Sequence, residues 1–294
     1  MSVGTAGGKV ILFGEHAVVY GRPAIALPVS QVRARAEVLA GRRGQGIRVV
    51  APDLGRAFSH TDADQSDPLA LTVRLTLGRL GIESPGDLTI TVHSDLPVAR
   101  GLGSGAAVST ALVRALAAHF GRPIGPEVVS GLVFEAEKLH HGTPSGIDNT
   151  VIAFEGPVYF VKDRPPEVFS LRVPFTLVIG DTGIASSTRQ VVGDVRAAWQ
   201  ADRLRYEALF DEIGRIAQGG RACMEAGEAT PESSVVAPDF GSLARSRLGD
   251  LMNQNHALLQ QIGVSSPELD QLVSAARDAG ALGAKLCGAG RAAS

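Results

Sequence analysis

Several things that would quickly narrow the role of this protein are scarce in its sequence. Only two cysteines, Cys223 and Cys287, occur in 294 residues. Their placement suggests neither a metal site nor a disulfide framework, so a reducing cytoplasm is the expected setting. A charge excess of one sign is also missing. The formal net charge is −2, and the chain has no basic patch of the kind that neutralises a nucleic-acid backbone. Arg42-Arg43, between glycines, reads as a solvated turn. No apolar run approaches the roughly 20 residues needed to span a bilayer, and the N-terminus carries no basic stretch followed by an apolar segment. Neither a nucleic-acid nor a membrane partner is therefore expected. Internal repeats and long low-complexity linkers are absent too. What the chain does have is an apolar share of 45%, enough for one large domain or two of ordinary size.

The first third reads as strands, at Lys9–Phe13, Ala24–Val29, Val32–Leu39 and Gly46–Val50. Asp67 and Pro68 open a helix that Gly81 closes. Leu88, Ile90 and Val92 alternate with polar residues, the mark of a half-buried strand. An alanine-rich helix then runs from Ser104 to about Phe120, and another from Pro126 to His141. Further strands are expected at Pro157–Val161, Phe175–Gly180 and Ala284–Cys287, and helices at Thr188–Gln200, Asp202–Ile216, Ser242–Ile262 and Pro267–Ala279. Hairpins mixed with helices, rather than regular βαβ alternation, predict an α+β protein of two lobes. Pro165-Pro166 marks the boundary, giving lobes 1–166 and 167–294, and a cleft between lobes is a common ligand site.

The most informative local feature is Leu96-Pro97-Val98-Ala99-Arg100-Gly101-Leu102-Gly103-Ser104-Gly105-Ala106-Ala107. Glycines let backbone amides converge on an anion, and the helix that follows would point its N-terminal N–H groups at the same place. A tight turn before a helix would need the same small residues. The Lys-Ser/Thr ending of a P-loop is absent. Gly101, Gly103 and Ala106 do satisfy G-x-G-x-x-A, but Ser94–Arg100 separate them from the preceding strand, and the acidic residue of a dinucleotide site is missing downstream. A dehydrogenase is thereby disfavoured.

Val129, Val133, Glu137 and His141 form one i, i+4 row. Glu137 emerges where this row turns from apolar to charged, as a Mg²⁺ ligand beside phosphates or as a solvated helix edge. Asp148 follows the constrained turn Gly142-Thr143-Pro144-Ser145-Gly146. It can take a hydroxyl proton during phosphoryl transfer, or it or Ser145 can cap a helix. His140 and His141 lack the H-E-x-x-H order of a zinc site. At the N-terminus Lys9 opens a strand ending at Gly14-Glu15-His16, where charged groups can face a ligand.

Together these segments resemble the GHMP family of small-molecule kinases, nearest to its members that act on mevalonate. Lys9–Gly21 is similar to the first motif of those members, Gly101–Ala107 to the ATP-binding motif, and Gly142–Asn149 to the turn bearing the catalytic aspartate. Asp181–Arg189 resembles a substrate-side segment, and Lys285–Gly290 begins the third motif. The resemblance implies ATP as co-substrate, Mg²⁺ as cofactor and phosphorylation of a primary hydroxyl. It implies Asp148 as base with Lys9 as its electrostatic partner, Glu137 and Ser104 at the metal, and Arg100, Gly101, Leu102, Gly103, Ser104, Gly105 and Ala106 around the triphosphate. Glu15, His16 and Thr188 would contact mevalonate. A homodimer is compatible with this reading. Two departures stand out. Gly105 replaces a serine that commonly reaches Mg²⁺, and the third motif runs on as Arg291-Ala292-Ala293-Ser294 instead of further glycines and a strand. The second lobe is therefore expected to lack its final strand. A homoserine or sugar kinase of the same superfamily is the alternative within this class; a silent binding protein of the same fold is the alternative outside it.

Overall fold

Strand β1 (Ser2–Phe13) pairs with β2 (Ala24–Ala40). The structure, a computed structural model, describes residues 1–64, 66–97, 100–141, 144–184, 186–226 and 240–291. Val98, Ala99, Gly142, Thr143, Ala185 and Ala292–Ser294 of the expected motifs lie outside the described residues, as do the side chains of His140 and His141. By contact the chain divides into two units, Met1–Val10 with Pro28–Glu155, and Ile11–Leu27 with Gly156–Ser294. The architecture is α+β.

The two strands expected at Ala24–Val29 and Val32–Leu39 are one continuous strand. Pro28 has no N–H to give to a ladder, and β2 changes partner around it. Residues 34–40 pair with β5 (Leu88–Ser94), whereas residues 24–26 pair with β6 (Val158–Phe160), both antiparallel. In the first unit β3 (Ile47–Ala51) runs parallel to β5 and antiparallel to β4 (Arg56–Ser59). The register sets Leu88, Ile90 and Val92 opposite Ala40, Val38 and Ala36, and burial of the three β5 side chains accounts for the alternation seen in the sequence.

Helices α1 (Pro68–Leu80), α2 (Ser104–His119), α3 (Pro126–His141) and α4 (Ile147–Phe154) complete this unit and pack on one another. Asp67 caps α1 by accepting from the N–H groups of Leu69 and Ala70, satisfying donors that a helix start otherwise leaves open. Alanines 106, 107, 111 and 115 bury the inner face of α2.

The second unit holds α5 (Thr188–Ala201), α6 (Arg203–Glu225), α7 (Phe240–Gln261), α8 (Pro267–Asp278) and the short β7 (Glu167–Val168), which pairs with β6. Its core joins Ala17, Val191, Val195, Tyr206, Phe210, Ile213, Leu259, Ile262, Val264 and Leu286, with the Tyr20 ring stacked on Phe210 at 4.2 Å. Two expected strands do not form. Phe175–Gly180 has no ladder partner among the described residues, and Val178 is 87% exposed. Ala284–Cys287 gives two of its N–H groups to side chains of α7: Ala284 to Asn253 Oδ1 at 3.1 Å and Leu286 to His256 Nδ1 at 3.3 Å. Among the described residues, no helix is long and apolar enough to cross a membrane.

Candidate active site

The glycine loop lies directly on β1. Lys9 N–H donates to the Leu102 carbonyl at 3.0 Å, and a Cβ on Gly8 would stand 2.8 Å from the Leu96 side chain and 3.1 Å from that same carbonyl. Only glycine at position 8 lets strand and loop approach so closely. Gly103 then caps α2 in the left-handed conformation, at φ 73°, which glycine adopts without strain. A side chain there would also meet Lys9 Cγ at 3.0 Å, Lys9 Cε at 3.1 Å and Ile152 Cδ1 at 3.0 Å. Gly103 thus shapes the loop and leaves the channel in which the lysine stem lies.

At the end of that stem, Lys9 Nζ pairs with Asp148 Oδ1 at 2.9 Å; the lysine side chain is 3% exposed and the aspartate side chain 33%. Asp148 occupies the first turn of α4, where a negative charge is favoured by the helix dipole. Neither of the expected caps serves: Gly146 is the N-cap and no side chain caps the helix. Ser145 Oγ instead accepts from Ile147 N–H at 3.4 Å. Next to Asp148, buried Asn149 donates to Ser130 on α3, to its carbonyl at 3.1 Å and its hydroxyl at 2.8 Å. Asn149 and Gly8 hold the site together, and the sequence reading missed both. Paired glycines inside a strand were the available signal for Gly8; Asn149 offered none beyond its neighbour.

Glu137 lies on the buried Val129–Val133 row of α3 and is 6% exposed, which excludes the solvated helix edge. Its Oε1 is 3.1 Å from where a Cβ on Gly105 would stand, so its carboxylate adjoins the first turn of α2. Ser104 opens that helix. Arg100, Gly101 and Leu102 precede it, partly buried. The Ala106 side chain is buried in the core, leaving only its backbone for a phosphate. Among the described residues, no three His, Cys, Asp or Glu side chains gather into a metal site. One carboxylate beside the glycine loop suits Mg²⁺, which usually takes one or two carboxylates and completes its shell with phosphate oxygens and water.

The other expected residues belong to the second unit. Glu15 and His16 are both buried. His16 Nε2 donates to the Ala289 carbonyl at 2.9 Å, and burial lowers its pKa from 6.5 to about 4, partly opposed by that hydrogen bond. Thr188 is exposed at the start of α5, behind the Ser187 cap.

The sequence profile of the GHMP kinases N terminal domain matches residues 69–156, and that of the GHMP kinases C terminal matches residues 238–292. A mevalonate kinase of Thermococcus sibiricus is 34% identical over 299 residues, covering 97% of this chain and 85% of the relative. One from Pyrococcus furiosus is 34% identical over 304 residues, covering 98% and 86%. The chain belongs to the mevalonate kinase family. Among solved structures it is similar to the L. major mevalonate kinase in complex with R-mevalonate, at 31% identity and a TM-score of 0.75, over 99% of this chain and 85% of that one. Within this family member, Lys9, Asp148, Glu137 and the glycine loop all fall in one unit of the fold.

Proposed function

We propose that the protein transfers the γ-phosphoryl group of ATP to the primary hydroxyl of mevalonate, giving 5-phosphomevalonate and ADP. The observation that carries this reading is the Lys9–Asp148 pair set against the start of α2, in a chain with mevalonate kinase relatives. Asp148 accepts the hydroxyl proton as the oxygen bonds to the γ-phosphorus and the bond from that phosphorus to the bridging oxygen of ADP breaks. Lys9 holds the carboxylate in place and supplies positive charge for the phosphoryl group in transfer. Backbone N–H groups from Arg100 to Ala106 and the dipole of α2 receive the triphosphate. Glu137 and Ser104 would hold Mg²⁺, which neutralises phosphate charge when bound. His16 and Thr188 contact mevalonate. The same reading includes a homodimer and a reducing cytoplasm, where the free cysteines 223 and 287 stay as thiols.

Release of ADP, measured with and without mevalonate, tests the proposal, with phosphorus NMR to identify the product. ADP release that depends on mevalonate is expected. Faster turnover of homoserine or a sugar, or ATP binding without any turnover, would overturn it.

A further inference from the structure

Both oxygens of the Glu15 carboxylate are already engaged. Oε1 pairs with the Lys285 ammonium, and Oε2 accepts from Asn255 Nδ2 at 3.2 Å. All three side chains are buried or nearly so: Asn255 is 0% exposed, and the side chains of Glu15 and Lys285 are 0% and 3% exposed. Lys285 Nζ also donates to the Leu286 carbonyl at 2.6 Å. The bond to Glu15 sets the Asn255 amide, because its oxygen turned to the carboxylate would meet a second acceptor. With both oxygens paired and its side chain 0% exposed, the carboxylate presents no open face to a ligand that arrives later.

The segment that carries Lys285 also carries Ala289, the acceptor for His16 Nε2. Glu15 and His16, consecutive in the chain, are thus fastened to one short segment, which is itself laced to α7 through Asn253 and His256. His16 is held at φ 60°, ψ −48°. Such a conformation strains a non-glycine residue and persists only where its surroundings over-determine it. With the Nε2 proton given to Ala289, Nδ1 is left as a hydrogen-bond acceptor.

We infer that Lys285 and Asn255 are specificity-determining positioning residues: acting through the Glu15 carboxylate, they hold His16 where its Nδ1 accepts a hydrogen bond from a substrate hydroxyl, and Glu15 itself does not touch substrate. This rests on the reading of His16 as a substrate contact. It revises the sequence expectation for Glu15.

Steady-state kinetics of the full chain test the inference. Asn255→Ala should raise KM for mevalonate about tenfold while KM for ATP moves less than about twofold, the split that marks loss of binding on one side only. Lys285→Arg should keep the ion pair and both constants. Lys285→Met leaves a buried carboxylate uncompensated and can fail to fold; the double variant Glu15→Gln/Lys285→Met removes both charges and should recover the thermal midpoint together with mevalonate turnover. A mevalonate KM unmoved by Asn255→Ala, or an ATP KM that rises in parallel, would overturn the inference. So would a double variant that is stable yet unable to use mevalonate, since Glu15 would then be a direct contact. NMR of labelled histidine reads the positioning without substrate: Asn255→Ala should shift the His16 ring resonances, and unchanged resonances count against it. If the unaltered protein fails to phosphorylate mevalonate, the proposed function falls, and the His16 resonances still decide the positioning.

Discussion

At Asp148 a partly exposed carboxylate faces an ammonium whose stem is buried, the geometry behind its proposed role as the base. Asp148→Asn keeps the size of the side chain and removes its ability to take a proton. It is expected to lower kcat by about 10²–10⁴ with ATP binding retained, checked by turnover assays beside a nucleotide titration. Gly103 carries a second expectation. Gly103→Ala adds a methyl group 3.0 Å from Lys9 Cγ and from Ile152, at φ 73°. It should cost about 1–3 kcal/mol of stability and also displace Lys9, so the thermal midpoint and kcat should fall together. A loss of stability at unchanged rate would separate the loop from the lysine. Glu137→Gln, beside Gly105, should raise the Mg²⁺ concentration needed for half-maximal rate; an unchanged metal dependence would remove Glu137 from that role.

The elements hold these residues through contacts that local sequence shows unevenly. Helix α4 is anchored to α3 by Asn149, whose amide reaches both polar groups of Ser130. Asn149→Ala removes both hydrogen bonds to Ser130 and is expected to cost about 1–3 kcal/mol, with a fall in kcat as Asp148 loses its seat; denaturation and turnover measured on one preparation check both. Helix α1 was legible because Asp67, Pro68 and Gly81 mark its ends by chemistry that works on the spot. Ala284–Cys287 misled for the opposite reason. Its apolar character matches its burial, but whether an extended segment becomes a strand depends on who takes its N–H groups, and here Asn253 and His256 of a distant helix do. Phe175–Gly180 was misread on the same apolar pattern, which cannot show whether a ladder partner exists. Pro28 lies inside the first of the two expected strands, and what it marks is an exchange of partners along one strand. Lys9, Glu137 and Asp148 could each be picked out singly. That Gly103 makes room for Lys9 depends on a packing contact between remote segments.

For the whole molecule, buried imidazoles tie stability to pH. Burial lowers the pKa of His16 to about 4 and pushes His256 and His60 down as well, with Asp270 opposing the shift at His256. Between pH 4 and 6.5 the folded chain binds fewer protons at His16 than the unfolded chain does, so acid favours unfolding. The contribution is complete above about pH 6.5 and is lost as pH falls through about 4, amounting to roughly 3 kcal/mol for His16. Thermal midpoints recorded from pH 7 to pH 4 should fall, and less steeply in His16→Gln; parallel curves would contradict the assignment. The Glu15–Lys285 pair has another consequence, in time rather than in energy. Its partners stand 270 positions apart, and chains are made from the N-terminus at about 5–20 residues per second. For roughly 15–50 s of synthesis, Glu15 has no ammonium to meet. The unit that encloses it therefore closes only after residue 285 has emerged, and during that interval a growing chain depends on solvent, or on a chaperone, to keep that carboxylate hydrated.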